Sequence, residues 1–256
     1  MTSVTMRPKA ILCIFGAMLF CGSVSGGQDT ANTFTFTLNG SATTTTHDGL
    51  PVLELTPALS YQAGSAFTAS PVVLDSEYKF AIVFQFQMAR GSGAADGMTF
   101  VLQTEGPTAL GGDGGCLGYG GASAECTAPV TGITPSVAVE FDTYENSPVD
   151  INDNHVAILT DGQINDLDPQ TPYGVTDCVP AGTFGCMANG DVWTVWIDYN
   201  GTNLNVALAD NSTTRPPSLI SYPIDLASIL GQNSVYFGFT AGTGAIYQKH
   251  WVFNIH

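Results

Sequence analysis

Side-chain types that commonly bind cations are concentrated in one stretch of this chain, between positions 137 and 158. They are Glu140, Asp142, Asn146, Asp150 and His155, and they lie between two apolar runs. Glu140 and Asp142 alternate with apolar residues, so a strand carries both carboxylates on one face. The polar stretch 143–154 is typical of a loop, which can bring Asp150 and His155 back toward that pair.

Two like charges that are buried together need a compensating cation or a shared proton. The sequence contains no lysine or arginine between Arg90 and Arg215, so a metal ion is the simpler compensation. Carboxylate, amide and carbonyl oxygens suit Ca²⁺, whereas an added imidazole suits a transition ion such as Mn²⁺ or Zn²⁺. Asp142 and Asp150 are placed to bridge both ions. The alternative interpretation is a solvated acidic loop in an acidic protein.

The first 27 residues have the composition of a secretory signal peptide. Arg7 and Lys9 precede an apolar run over 10–21, and small residues occupy 22–27. The apolar run is shorter than the ~20 residues of a membrane-spanning helix. We therefore expect residues 1–27 to be a cleaved leader, residues 28–256 to form a single domain, and the mature protein to be secreted or extracellular.

The charge of the chain is strongly negative. It has 22 acidic and six basic residues, a formal charge of −16. Loss of Arg7 and Lys9 with the leader leaves four basic residues, which makes the mature charge −18. Because a surface of this sign repels polyanions, the charge disfavours nucleic acid and anionic membranes as partners.

Four cysteines follow the leader, at positions 116, 126, 178 and 186. An even number of cysteines in an exported chain favours disulfides. Of the three pairings, the short separations favour Cys116–Cys126 and Cys178–Cys186. A zinc site built from all four cysteines is the other interpretation, although neither pair has the tight spacing of such sites.

Strand-like segments separated by turn signals recur along the chain, whereas helical periodicity is nearly absent. The alternation is clearest in YKFAIVFQFQM (78–88) and VWTVWIDYN (192–200). Many strands without crossover helices predict antiparallel sheets packed as a sandwich or jelly roll, with one short helix over 224–230. The predicted strands span 32–38, 52–55, 66–70, 78–88, 98–104, 137–142, 155–160, 192–199, 203–209, 235–240 and 249–255.

Five sequence blocks carry a family resemblance when they are placed together. They are GAADGMTFVLQ (93–103), GGDGGCLGYGG (111–121), VAVEFDTYENSPVDINDNHVAI (137–158), WTVWIDYNGTNLNVAL (193–208) and VYFGFTAGTGAIYQKHWVFNI (235–255). In content and order they resemble the blocks of the legume-lectin family, the concanavalin A type of L-type lectin. The resemblance implies an all-β, antiparallel jelly-roll sandwich of the concanavalin A-like lectin and glucanase fold. It places metals and sugar at one end of a curved front sheet.

The resemblance also implies a ligand set for two metal ions. The residues that match the transition-metal ligands of the family are Glu140, Asp142, Asp150 and His155. Those that match the calcium ligands are Asp142, the backbone carbonyl of Tyr144, Asn146 and Asp150. The implied cofactors are Ca²⁺ and a transition metal, with Mn²⁺ the expected ion.

Two side chains match the sugar-binding residues of the family, Asp96 in the ADG motif and Asn146. A carboxylate such as Asp96 accepts hydrogen bonds from sugar hydroxyls, while the amide of Asn146 donates one. In this arrangement calcium holds the oxygen of Asn146 and leaves its nitrogen facing the sugar. The resemblance further implies a cis peptide bond between Ala95 and Asp96.

The backbone of the glycine-rich block is expected to add an N–H donor to the pocket. Gly120 is the expected donor, with Gly118 and Gly121 as alternatives, because the spacing of this block differs from that of plant members. Tyr144 is the expected wall of the pocket. Tyr119, inside the block, either stacks on the sugar or packs in the core.

The segment 243–247 matches the fourth binding loop, which in the family tunes the choice of sugar. Gly244 and Ala245 are its expected contact residues. The resemblance therefore implies a mono- or oligosaccharide, or a larger glycan, as the ligand and no catalytic activity. Family members often pair through the back sheet, so a homo-oligomer is also compatible with the resemblance.

The main rival is a glycoside hydrolase. Glu140, Asp142 and Glu145 fit the E-x-D-x-x-E pattern of a glucanase family with the same architecture, in which the two glutamates act as nucleophile and general acid. That interpretation leaves Asp96, Asp150 and His155 without roles, whereas metal and sugar binding employ all three. A second rival, a surface module that has lost sugar binding, predicts missing ligands.

Overall fold

The computed structural model describes residues 2–6, 34–47, 49–121, 130–148, 150–164, 173–175 and 187–256. These residues form an almost entirely β structure with one short helix, α1 (Leu226–Leu230), and one 3₁₀ turn (Gly114–Cys116). The all-β prediction is therefore confirmed. The strands are β1 (Thr2–Met6), β2 (Phe34–Gly40), β3 (Thr43–His47), β4 (Leu50–Thr56), β5 (Gln62–Thr68), β6 (Val72–Val73), β7 (Phe80–Arg90), β8 (Gly97–Gln103), β9 (Ser136–Asp142), β10 (His155–Thr160), β11 (Tyr173–Val175), β12 (Val192–Tyr199), β13 (Asn203–Asp210), β14 (Ile220–Pro223), β15 (Ser234–Thr243) and β16 (Gln248–Phe253).

The strands form two antiparallel sheets with the main hydrophobic core between them. The larger sheet has the order β1-β2-β5-β15-β8-β9-β10-β11, with β6 paired to β15. The smaller sheet has the order β14-β13-β12-β7-β16-β4-β3. Strands that are distant in sequence, such as β8 and β15, are neighbours in space, and the chain crosses repeatedly between the sheets. This is the connectivity of the predicted jelly-roll sandwich.

Aromatic rings join the two sheets in the core. Every second residue of β7 is buried, as the alternation predicts. Phe84 of β7 lies 6.1 Å from Phe100, 6.1 Å from Phe141 and 4.8 Å from Phe239, measured between ring centroids. The three partners belong to the larger sheet, so one side chain of the smaller sheet contacts three strands of the other.

The register of β8, β9 and β10 brings polar residues together at one end of the larger sheet. Asp142, the last residue of β9, pairs with Gly97 of β8 on one side and with His155 of β10 on the other. Asp96 immediately precedes Gly97. Because neighbouring antiparallel strands run in opposite directions, the end of β9 meets the beginnings of β8 and β10.

The strands that the sequence pattern misses are mainly short and peripheral. β3, β11 and β14 lie at or near sheet edges, and β6 has only two residues. Edge strands with little buried surface show no clear alternation, so periodicity does not detect them. The predicted helix begins at Leu226, later than expected, because the Asp225 carboxylate accepts a hydrogen bond from the Ser228 N–H and caps it.

Most of the predicted leader, residues 7–27, lies outside the described residues, as do Cys126, Cys178 and Cys186. Residues Thr2–Met6 are described and form β1 against β2. The leader, the domain boundary at 28 and both disulfide pairings stay predictions. In the described ranges, no helix is long and apolar enough to cross a membrane.

Candidate metal and ligand site

Three side chains at the end of the larger sheet are close enough to hold one metal ion. One ligand atom from each of Glu140, Asp142 and His155 lies within 4.8 Å of the others, and all three residues are buried. His155 Nε2 is 3.8 Å from Glu140 Oε2. The two carboxylates share one face of β9, as predicted, and the β9–β10 register adds the imidazole.

The hydrogen bonding of His155 defines which nitrogen is available to an ion. Nδ1 lies 2.9 Å from the carbonyl oxygen of Asn152. A carbonyl only accepts hydrogen bonds, so Nδ1 carries a hydrogen, and Nε2, on the side of Glu140, is the nitrogen that a neutral imidazole would offer to an ion. A backbone carbonyl that orients a histidine in this way is common behind metal-ligating imidazoles.

The loop after β9 is closed by contacts between its own residues. The Asn146 N–H donates to the Asp150 carboxylate at 2.5 Å, and the Tyr144 N–H donates to Asp142 Oδ1 at 2.7 Å. Asp150 is buried, but among the described residues the three-residue metal cluster does not include it. These contacts bring Asp150 and Asn146 to each other, and they hold Tyr144 against the last residue of β9.

The chemistry of these groups fits the implied metals. Asn146 Oδ1 is buried and has no hydrogen-bond partner among the described residues. A buried amide oxygen without a donor is costly, and a calcium ion would satisfy it. Buried carboxylates on a segment without lysine or arginine, together with an oriented imidazole, match the donor set of a transition ion.

Asp96 lies at the start of β8 and is almost completely buried. Burial raises the pKa of its carboxyl to about 7, the Gly244 N–H opposes this shift, and the negative charges of Asp113 and Asp150 add to it. Its Oδ2 is buried without a hydrogen-bond partner in the described part of the chain. A buried oxygen without a partner is available to accept a hydrogen bond from a hydroxyl group of a ligand.

The backbone of Asp96 is fixed by its neighbours. The peptide bond between Ala95 and Asp96 is cis, as the family resemblance implies. The Asp96 carbonyl accepts hydrogen bonds from the Thr143 N–H at 2.9 Å and from the Thr143 hydroxyl at 2.7 Å. The Asp96 N–H donates to the Gly242 carbonyl at 3.2 Å. Asp96 is thus held between β9 and β15.

The prediction that the Gly120 N–H faces the ligand is wrong. That group donates to the Cys116 carbonyl at 2.7 Å. The two alternative donors are also engaged, Gly118 with the Gly112 carbonyl and Gly121 with the Gly162 carbonyl. The glycine-rich block folds on itself, and its later N–H groups stabilise that fold.

An earlier part of the glycine-rich block lies at the site instead. A Cβ added to Gly115 would lie 2.8 Å from Asn146 Oδ1, so the Asn146 side chain packs directly on this glycine. The adjacent Gly114 has φ +61°, a conformation that favours glycine. The GG pair was visible in the sequence, but nothing distinguished it from the other glycines nearby.

The remaining predicted residues differ in exposure. Tyr144 is half-buried, Ala245 is exposed, and Gly244 lies against Asp96, where an added Cβ would be 3.3 Å from Asp96 Oδ2. Tyr119 is completely buried, with its hydroxyl 2.9 Å from Ser136 Oγ, so it packs and does not stack on a ligand.

The arrangement gives no support to the hydrolase interpretation. Glu140 is completely buried in β9, whereas Glu145 is exposed in the loop after the strand. The carboxylate of Glu140 instead lies with Asp142 and His155. The pair of glutamates that the hydrolase mechanism needs is therefore split between the core and the surface.

The fold and this site together define a lectin-type β-sandwich. Residues 26–255 match the family model described as "Legume lectin domain", and the chain belongs to that family. Lectin II from Ulex europaeus has a similar structure, with a TM-score of 0.66 and 26% identity over 86% of this chain and 90% of that one. Winged bean acidic lectin is also 26% identical over 86% of this chain and 90% of that one, with a TM-score of 0.64.

Curated relatives include an L-type lectin-domain containing receptor kinase, I.7, of Arabidopsis thaliana. It is 30% identical over 246 residues, which are 89% of this chain and 35% of the kinase. The chain thus spans about a third of the length of the receptor kinases that it matches. The family match and the solved lectins therefore assign a legume lectin domain to this chain.

Proposed function

We propose that this chain is a metal-dependent lectin that binds sugar hydroxyls through Asp96 and Asn146. The observation that carries the proposal is the meeting of two kinds of groups at one end of the larger sheet. One is the buried cluster of Glu140, Asp142 and His155. The other is the pair of buried oxygens, Asp96 Oδ2 and Asn146 Oδ1, that have no hydrogen-bond partner among the described residues.

The proposed transition-metal ligands are Glu140, Asp142, Asp150 and His155, with Mn²⁺ as the expected ion. The proposed calcium ligands are Asp142, the Tyr144 carbonyl, Asn146 and Asp150. When bound, the ions neutralise the buried carboxylates and satisfy the amide oxygen of Asn146.

The chain's own residues then perform the recognition. With its oxygen held, Asn146 presents its amide nitrogen as a donor, and Gly115 leaves room for the side chain to lie flat against the backbone. Asp96 accepts hydroxyl hydrogen bonds through its carboxylate, which the Gly244 N–H orients. Tyr144, Gly244 and Ala245 line the rim. A donor and an acceptor at fixed positions select a hydroxyl pattern on the sugar.

A solved relative supports a sugar as the ligand. Winged bean acidic lectin, which is 26% identical, was solved in complex with methyl-α-D-galactose. That ligand belongs to the relative, and its class, a neutral pyranose, is what the donor and acceptor of this site suit.

The test is isothermal titration of a panel of monosaccharides with Ca²⁺ and Mn²⁺ and again after EDTA. We expect binding only with metal. Asp142→Ala should abolish it, whereas Asp153→Ala, an exposed acidic residue in the same loop, should leave it unchanged. Sugar binding that survives both EDTA and Asp142→Ala would contradict the metal-dependent mechanism. Turnover of a β-glucan that is lost in Glu140→Gln and Glu145→Gln would establish the hydrolase.

We also propose that the lectin domain comprises residues 28–256 and acts outside the cell after removal of residues 1–27. The relatives are receptor kinases named for L-type lectin domains, which supports an extracellular location. Mass spectrometry of the exported protein, with and without reduction, tests the cleavage site and the Cys116–Cys126 and Cys178–Cys186 pairs together. Oligomerisation is tested separately by light scattering.

A further inference from the structure

Exposed large hydrophobic side chains are concentrated on the loops around the candidate sugar site. In the described part of the chain they are Leu59, Tyr61, Val73 and Ile246. Leu59 and Tyr61 lie in the loop between β4 and β5, and Ile246 lies in the loop that also contains Gly244. Only Val73 is on a different part of the molecule, in β6. Clustered exposed apolar groups often mark a binding surface.

Tyr61 is connected to Asp96 through a single residue, Gly244. The Tyr61 N–H donates to the Gly244 carbonyl at 2.9 Å. The N–H of the same glycine donates to the Asp96 carboxylate. The loop that presents Tyr61 is therefore bonded directly to the loop that orients the proposed sugar-binding carboxylate, so the two loops are neighbours at this end of the molecule.

The Tyr61 loop is held at further points. The Thr243 hydroxyl donates to the Leu59 carbonyl at 2.7 Å and accepts the Gln62 N–H at 3.0 Å. Tyr61 itself has φ +55°, a left-handed conformation that is unfavourable for a residue with a side chain. Such a conformation persists only where surrounding contacts enforce it, and it is frequent at ligand sites.

The side chain of Tyr61 is 66% exposed on this fixed backbone. An aromatic ring with two side-chain torsions on an anchored loop loses little entropy when it binds. Its face is apolar and its hydroxyl is polar, which matches a pyranose ring with a C–H face and hydroxyls at its edge. Leu59 and Ile246 add apolar surface without charge.

We propose that Tyr61, with Leu59 and Ile246, forms a second subsite that binds the next residue of a neutral oligosaccharide. This inference rests on the proposed function, in which Asp96 and Asn146 hold the first residue. The formal charge of −16 disfavours an acidic glycan, and the three side chains offer no cation to bind one.

The test compares monosaccharides with disaccharides by titration calorimetry on the full chain loaded with Ca²⁺ and Mn²⁺. The probes are methyl β-galactoside against lactose and methyl α-mannoside against mannobiose. We expect Tyr61→Ala to lower disaccharide affinity about three- to tenfold, the effect of losing one aromatic contact, and monosaccharide affinity less than roughly twofold. Tyr61→Phe keeps the ring and should retain most of the affinity.

Val73→Ala removes an equally exposed side chain elsewhere and should change neither affinity. An equal loss of mono- and disaccharide affinity in Tyr61→Ala, or no loss of either, overturns the subsite and leaves the proposed function standing. If the unaltered chain binds none of the four probes, the proposed function fails for these sugars and the subsite fails with it.

Discussion

Gln248 donates a hydrogen bond from Nε2 to the hydroxyl of Thr143 at 2.7 Å, and both residues are buried. The hydroxyl in turn donates to the Asp96 carbonyl. Gln248 belongs to the smaller sheet, so this contact links that sheet to the backbone of the proposed sugar-binding carboxylate. Sequence reasoning did not single out either residue.

The contact extends further into the smaller sheet. Gln248 Nε2 also lies 3.1 Å from Nε2 of His250, whose Nδ1 is 2.6 Å from the Thr56 hydroxyl. Burial lowers the pKa of His250 to about 3, so the ring is neutral at neutral pH and can accept from Gln248. A buried polar chain of this kind fixes geometry only while every member keeps its partner.

Gln248→Leu should therefore weaken sugar binding without touching the sugar. The substitution leaves Thr143 and His250 without the donor and should reduce the free energy of unfolding by about 1–3 kcal/mol. Gln103→Leu is the matched control, because Gln103 is equally buried and bonded but contacts Gly106. We expect both variants to lose stability in urea titrations and only Gln248→Leu to lose sugar affinity. Equal affinities would contradict the positioning role.

Much of this molecule follows from its sequence. The alternation around Phe84 and Glu140 predicted the main strands, and carboxylates at alternate positions predicted the cluster of Glu140 and Asp142. The Gly120 assignment failed because a run of glycines carries no pattern that tells which N–H groups bond within the loop. Tyr61 and Gln248 were missed for a related reason. Their roles depend on contacts across more than a hundred residues, which neither periodicity nor composition encodes.

Gly115→Ala should abolish sugar binding at little cost in stability. The new methyl group would lie 2.8 Å from Asn146 Oδ1, and the exposed end of that loop can move away to relieve the contact. Asn146 would then leave its position against Gly115. Gly231→Ala serves as the control, because nothing lies within 4 Å of its Cβ position and its φ of +68° costs roughly 1 kcal/mol. Thermal unfolding measures the stability of both variants, and calorimetry measures their sugar binding. We expect binding to be lost only in Gly115→Ala.

Phe84→Ala should cost about 3–5 kcal/mol of unfolding free energy, because it removes one ring that contacts three others. Phe84→Leu retains most of the volume and should cost less. Urea denaturation of both variants measures the difference. A cost below about 1 kcal/mol for Phe84→Ala would show that the two sheets are not joined through this ring.

The metal-free protein should be more stable at pH 5 than at pH 8, and Asp96 should account for part of the difference. The pKa of Asp96 in the folded chain is about 7, above its ordinary value of 3.8. Between these values the folded state binds more protons than the unfolded state, so unfolding becomes easier as the pH rises toward 7. Asp96→Asn has no proton to lose and should reduce this dependence. The measurement is urea unfolding in EDTA at both pH values, and an unchanged pH dependence in Asp96→Asn would show that the Asp96 carboxyl is not the group responsible.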